Sequence, residues 1–291
     1  MKRLLAALST VFLLAASSMA ADEIVLGLIP ELNVFRQVER HTPLANYLSA
    51  KVGAPVRLKM LPRYGNIIDS FEQGKMDGAF WGSFTGAMAI RKLGLVPVAR
   101  PLWIDGTSTY HGVLFVRRDS GITKVSDLKG KSFAFVDRAT TAGYLFPLAL
   151  LREQGITNID KFFSSYFFAG SHDAAILSVL RKEADAGAAK NTVFQVVAKD
   201  DPAVTRDLRI LAQSDPVPSN ALGVRKDMAP ELREKLSKAL LGMENDPEGR
   251  EVLKAYGAAR FIPTTAADYN PVFDMAKRAG IDLAQYLYEN R

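Results

Sequence analysis

The 291-residue chain contains no cysteine. That excludes disulfides, thiolate metal sites and thiol nucleophiles, and it leaves no residue behind a leader for lipid attachment. Histidine is scarce: His41, His111 and His172 show no metal-ligand spacing, so neither a metal nor another cofactor is expected. Long apolar runs are also few. The segment Leu4–Ala16 falls short of the roughly 20 residues that a membrane span needs. Its flanks, Met1-Lys2-Arg3 and Ser17-Ser18-Met19-Ala20, make residues 1–20 a leader expected to be cleaved after Ala20. An exported, unlipidated chain with no stable membrane insertion points to a Gram-negative periplasm. Two positive charges, Lys2 and Arg3, leave with the leader, so the formal excess of +6 falls to +4. No basic run interleaved with aromatics suggests nucleic acid, and the mild excess suits a small anionic ligand.

What is present is an alternation of short apolar strands and helices. Glu23–Ile29, Val56–Leu61, Asp77–Trp81 and Val96–Pro101 read as strands. Between them lie the helices Pro43–Val52, with Thr42 as cap and Pro43 at the first position, Ile67–Gln73 and Phe84–Leu93. The pattern predicts an α/β fold with mainly parallel sheets flanked by helices. After the polar loop 105–109, strands are expected at Tyr110–Val116, Lys131–Val136, Ser165–Ala169, Asp185–Ala189, Leu208–Gln213 and Asn220–Val224. Helices are expected at Ala142–Gln154, Ser171–Glu183 and Thr192–Ala198, and three more follow residue 230.

The central stretch is Asp137-Arg138-Ala139-Thr140-Thr141-Ala142-Gly143-Tyr144, a strand-to-helix turn. A helix start leaves N–H groups unpaired and carries partial positive charge. Two hydroxyls with little steric bulk then suit a tetrahedral oxyanion, although Thr is also an ordinary helix cap. A second signal is internal: Gly74-Lys75-Met76-Asp77-Gly78-Ala79 echoes Lys182-Glu183-Ala184-Asp185-Ala186-Gly187. Two similar lobes would present strand ends to a shared crevice, where ligands of open α/β sheets bind.

Several stretches, in order, resemble the periplasmic phosphonate, phosphite and phosphate-binding proteins of ABC transporters, which are type 2 periplasmic binding proteins. They are Leu61-Pro62-Arg63-Tyr64, Asp77-Gly78-Ala79-Phe80-Trp81-Gly82, Gly106-Thr107-Ser108-Thr109-Tyr110, Ala139-Thr140-Thr141-Ala142-Gly143-Tyr144, Ala169-Gly170-Ser171-His172-Asp173 and Ser214-Asp215-Pro216-Val217-Pro218. The resemblance implies two lobes, 22–108 plus 214–291 and 109–213, closing about crossing strands. It implies a monomeric, non-enzymatic protein that delivers a small oxyanion to an ABC permease. Ligand contacts are expected from Tyr64, Tyr110, Thr140, Thr141, Ala142, His172, Asn191, Asn220 and Trp81.

One departure bears on the ligand. Members that take aminoalkylphosphonates hold the amine with acids, whereas this chain has Asn220 and Lys190-Asn191-Thr192 at those places. An unpaired ammonium in a closed cleft is costly, so a small oxyanion or an uncharged-tail phosphonate is expected. A ligand-sensing partner of a membrane sensor kinase would share the fold and its ligand physics. Enzymes on a related fold need a cysteine-bearing segment or a covalently attached cofactor, and no nucleophile–base pair is legible. His41 is expected at the surface, and Arg138 is expected as a solvated turn residue.

Overall fold

The computed structural model describes residues 23–31 and 34–287, so the leader expected over residues 1–20 lies outside the described part. In chain order the strands are β1 (Ile24–Leu28), β2 (Val56–Met60), β3 (Gly78–Trp81), β4 (Val96–Trp103), β5 (Thr109–Tyr110), β6 (Gly112–Arg117), β7 (Ser132–Phe135), β8 (Ser165–Phe168), β9 (Ala186–Lys190), β10 (Leu208–Gln213), β11 (Val217–Pro218), β12 (Ala221–Val224) and β13 (Ala258–Pro263). They form a six-stranded sheet in the order β13-β4-β12-β3-β1-β2 and a five-stranded sheet in the order β10-β6-β9-β7-β8. Each sheet has a parallel half, β2-β1-β3 in one and β9-β7-β8 in the other. The remaining neighbours run antiparallel, because β12 and β6 each enter their sheet in the opposite sense and the edge strand β13 runs against β4. The mainly parallel sheets expected from the alternation are thus mixed ones. A strand arriving from the other lobe is not bound by the βα crossover that keeps neighbours parallel.

The short strands are apolar on both faces because helices cover both sides. β9 is buried along its whole length, Ala-Gly-Ala-Ala-Lys, and its small residues admit close helix packing. The internal echo has a structural meaning. In the six-stranded sheet an Asp77 Oδ2 accepts the Val25 N–H at 2.8 Å, and in the five-stranded sheet Asp185 Oδ2 accepts the Ser132 N–H at 2.8 Å. In both sheets the carboxylate before a short strand satisfies the first donors of its parallel neighbour.

Two chain crossings join the sheets. β5 and β11 pair antiparallel, with Val217 opposite Tyr110 and Pro218 opposite Thr109. The pairing continues through Ser214, whose N–H donates to Gly112 O at 2.9 Å and whose Oγ accepts the Gly112 N–H at 2.8 Å. Beside it the Asn191 N–H donates to His111 O, Asn191 Oδ1 accepts the His111 N–H, and His111 Nδ1 donates to Ser214 O at 2.8 Å.

Three local differences from expectation have physical causes. The first helix begins at Val34, not at Thr42-Pro43, and Pro43 lies inside it. Its buried stripe, Gln37, His41, Leu44, Ala45 and Leu48, already runs at helical spacing before the proline, and that burial overrides the start signal. β13 was not foreseen: Ala-Ala-Arg-Phe-Ile-Pro alternates poorly, and as an edge strand it tolerates its proline. The helix expected over Ala142–Gln154 opens as a single π-type turn, Thr141–Leu145, before the regular helix Phe146–Glu153. Such turns recur at functional sites.

Glycines seat that turn. A Cβ on Gly112 would lie 2.7 Å from the Phe146 ring and 3.2 Å from Ala142 Cα, and one on Gly143 would lie 2.4 Å from Val136. Gly112→Ala is therefore expected to lower the melting temperature by roughly 3–10 °C through overpacking. Calorimetric unfolding checks this, and an unchanged midpoint would contradict the close seating.

Candidate ligand-binding cleft

Between the two sheets, the residues just past the carboxyl ends of several strands converge. Glu31 follows β1, Tyr64 follows β2, Thr141 follows β7, His172 follows β8, and Lys190 closes β9. This is where an open α/β sheet offers unpaired backbone donors and room for a ligand. Tyr64 meets His172 edge to face with ring centroids 6.0 Å apart, bringing the two lobes into contact.

Two hydroxyls in this region are left over. Tyr64 Oη and Thr141 Oγ1 are buried without a hydrogen-bond partner, and Arg100 Nε is the only other such side-chain atom among the described residues. Buried hydroxyls are rarely unmatched, because desolvation without a partner costs about 1–3 kcal/mol each. Burial and surrounding negative charge push the Tyr64 pKa well above its ordinary value, so this hydroxyl remains a donor. His172 is 3% exposed, and its Nδ1 accepts the Lys190 N–H at 3.2 Å. That bond fixes the proton of the neutral ring on Nε2. Burial drives the His172 pKa down to about 4, with Glu31 opposing the shift and Lys190 adding to it. A neutral imidazole, two hydroxyls and the first N–H groups of the Thr141 turn thus offer an anion donors without a net charge.

A charged group sits alongside. Lys190 Nζ donates to Glu31 Oε1 at 2.9 Å and to Asn220 Oδ1 at 3.1 Å, and it lies 4.3 Å from the centroid of the Tyr110 ring. Burial pushes the Glu31 carboxyl up, but the Lys190 ammonium, with help from His172 and Arg40, brings the net shift downward. Beyond this pair an outer pocket of about 330 Å³ is lined by Arg40, His41, Phe80, Trp103, Val193 and Tyr256, among others. No group of His, Asp or Glu that could hold a metal occurs among the described residues.

The expected residues divide accordingly. Tyr64 meets His172, Asn220 accepts from Lys190 Nζ, Thr141 lies beside Tyr110, and Ala142 packs against Gly112. Thr140 does not contribute its hydroxyl, because Oγ1 donates back to Asp137 O at 2.7 Å and closes the loop ahead of the turn. Tyr110 turns its ring to the cleft, but its hydroxyl shares a 2.8 Å hydrogen bond with Ser83 Oγ, which in turn lies 2.7 Å from Pro218 O. With the Ser83 proton on that carbonyl, Tyr110 is the donor to Ser83. Burial lifts the Tyr110 pKa to about 12, with the adjoining Ser83 and Thr141 hydroxyls opposing the shift. Thr141 thus adjoins this hydroxyl without reaching hydrogen-bond geometry.

Asn191 is committed to the hinge through its bond to His111. Trp81 is fully buried, donates Nε1 to Gly223 O at 3.1 Å and packs edge-on against Phe71. Its strand neighbour Phe80 points the other way and lines the outer pocket, as alternation along a strand requires. His41 is buried between Phe80 and Tyr256 rather than at the surface. Arg138 is not a free turn residue: it donates to the Tyr144 hydroxyl and lies 4.8 Å from the Phe168 ring centroid. Glu31 escaped notice, although Pro30-Glu31 at the end of the first strand occupies the place where ligand contacts collect.

Comparison with known proteins decides the family. Residues 26–269 match the family described as ABC transporter, phosphonate, periplasmic substrate-binding protein. The chain belongs to this family. A phosphonates-binding periplasmic protein of Escherichia coli is 25% identical over 81% of this chain and 70% of its own length. A phosphate-import protein of Mycolicibacterium smegmatis is 25% identical over 86% of this chain and 84% of its own. A Prochlorococcus marinus protein crystallised with methylphosphonate superposes with a TM-score of 0.78 at 20% identity, covering 89% of this chain and 98% of its own. The fold is thus that of the type 2 periplasmic binding proteins, and the protein is a periplasmic-type solute-binding component of ABC transport. No helix among the described residues is long and apolar enough to cross a membrane.

The two buried histidines make stability depend on pH. The pKa values of His41 and His172 are depressed to about 4 in the fold from an unfolded value of 6.5, chiefly by burial. Both rings are neutral when folded, so protonation favours the unfolded chain. Their contribution to stability is complete above pH 6.5 and is lost as the pH falls towards about 4. Melting temperatures measured from neutral pH downward should fall through this window, and His41→Gln should make the fall shallower. A flat profile would contradict the buried neutral rings.

Proposed function

We propose that the ligand is a small tetrahedral phosphorus oxyanion, such as methylphosphonate, phosphite or phosphate, and that the protein delivers it to an ABC permease. The observation that carries this reading is the pair of buried, unpartnered hydroxyls, Thr141 Oγ1 and Tyr64 Oη, beside the helix start and the Nε2–H of His172. Several neutral donors, beside a Lys190 ammonium already paired with Glu31, suit a compact ligand with three oxygens. The names of the relatives agree: phosphonates in one case, phosphate in another, and methylphosphonate in the fold neighbour. The leader cleaved after Ala20 would release a monomer, and the lobes 22–108 plus 214–291 and 109–213 would close on the ligand about β5 and β11.

Thr141→Val and Tyr64→Phe each remove a donor while keeping shape. Calorimetric titration with methylphosphonate should show each variant weakened by about 10- to 100-fold, the value of one charge-assisted hydrogen bond. Their melting temperatures without ligand should hold or rise, because each loses an unmatched buried hydroxyl. Thr140→Val should do the reverse: a lower melting temperature from the lost hydrogen bond to Asp137 O, by about 1 kcal/mol, with affinity changed little. Equal affinity losses at Thr140 and Thr141 would contradict this assignment.

A further inference from the structure

We infer that Lys190 determines specificity by filling an ammonium site in the cleft with its own side chain, so that amine-bearing ligands are refused. The surroundings of Nζ contain the kinds of group that recognise an alkylammonium. There is a carboxylate at 2.9 Å (Glu31), an amide oxygen at 3.1 Å (Asn220) and an aromatic face with its centroid at 4.3 Å (Tyr110). The site is built from both lobes, since Glu31 and Asn220 belong to the six-stranded sheet's side and Lys190 ends β9 of the other. Lys190 is 5% exposed, so its head is enclosed rather than resting on the surface.

An ammonium has three N–H donors and no acceptor. With Lys190 in place, the acceptors of Glu31 and Asn220 already face a cation. A second ammonium would meet like charge in a poorly solvated space, and it would lack a carboxylate of its own. The side chain also walls the cleft: Lys190, Glu31 and Asn220 all line the outer pocket of about 330 Å³. Shortening Lys190 would free the carboxylate and amide oxygen and open the space around them towards that pocket. The backbone of Lys190 needs no side chain to stay put, because its N–H is bonded to His172 Nδ1 and β9 is paired on both edges.

The test uses Lys190→Ala and the double variant Lys190→Ala/Glu31→Gln beside the wild type. Two readouts are taken: thermal stabilisation by ethylammonium against sodium at equal ionic strength, and titration with methylphosphonate and aminoethylphosphonate. The first does not depend on the proposed phosphorus ligand, whereas the second rests on it. Lys190→Ala should be stabilised saturably by ethylammonium where the wild type is not, and it should gain roughly tenfold or more in affinity for aminoethylphosphonate relative to methylphosphonate. The double variant should lose both gains, which a merely structural role for Lys190 would not produce.

If ethylammonium stabilises Lys190→Ala but no variant binds methylphosphonate, the inference stands and the proposed ligand fails. The inference is overturned if the wild type prefers aminoethylphosphonate. It is equally overturned if Lys190→Ala shows neither the ethylammonium effect nor the gain in amine binding. Should Lys190→Ala fail to fold, Lys190→Gln, which keeps a hydrogen-bonding stem without the charge, is read in the same way.

Discussion

The ion pair between Lys190 and Glu31 sets the terms for everything else in the cleft. It joins the end of β9 in one sheet to the end of β1 in the other, and it is shielded from solvent. Breaking such a pair by deleting one partner typically costs about 3–5 kcal/mol, because the remaining charge is left buried. The exposed Arg36–Asp200 pair also bridges the first helix and the helix after β9, but exposed pairs are worth at most about 1 kcal/mol. The buried pair is therefore the stronger of these two electrostatic links between the sheets. Because it is neutral overall, it contributes little net charge to attract an anion.

That neutrality explains the character of the rest of the site. An anion held there, as proposed, would depend on dipoles: the Thr141 and Tyr64 hydroxyls, the Nε2–H of a ring whose Nδ1 is occupied by the Lys190 N–H, and the N–H groups of a π-type turn. Fixed dipoles in a dry, enclosed space interact more strongly than they would in water. The cost is visible without ligand as two unmatched hydroxyls. The supporting contacts hold these donors in place. Thr140 closes the preceding loop onto Asp137 O, Gly143 lets the turn lie on Val136, and Ser83 ties the Tyr110 hydroxyl to the hinge at Pro218.

Much of this was legible in the sequence. Strand and helix spacing located nearly every element, and the Asp77 and Asp185 echo marked equivalent strand starts in the two sheets. Thr141 stood out as a hydroxyl at a strand-to-helix turn, whereas Tyr64, His172 and Asn220 were marked by the family resemblance. What did not follow from sequence is which way each side chain faces and which partner it already has. Thr140 and Thr141 are chemically alike, yet one hydroxyl turns back to Asp137 O and the other does not. Phe80 and Trp81 are adjacent on one strand, and only the sheet decides which of them meets the cleft. Lys190 and Glu31 are 159 positions apart, so their pairing is a property of the assembled lobes.

The most direct measurement is a crystal structure of the protein with methylphosphonate. The phosphonate oxygens are expected within about 2.5–3.2 Å of Thr141 Oγ1, Tyr64 Oη and His172 Nε2, with the Lys190–Glu31 pair intact beside them. Phosphonate seated instead in the outer pocket among Arg40, Trp103 and Tyr256, with Thr141 Oγ1 and Tyr64 Oη still unpartnered, would contradict it.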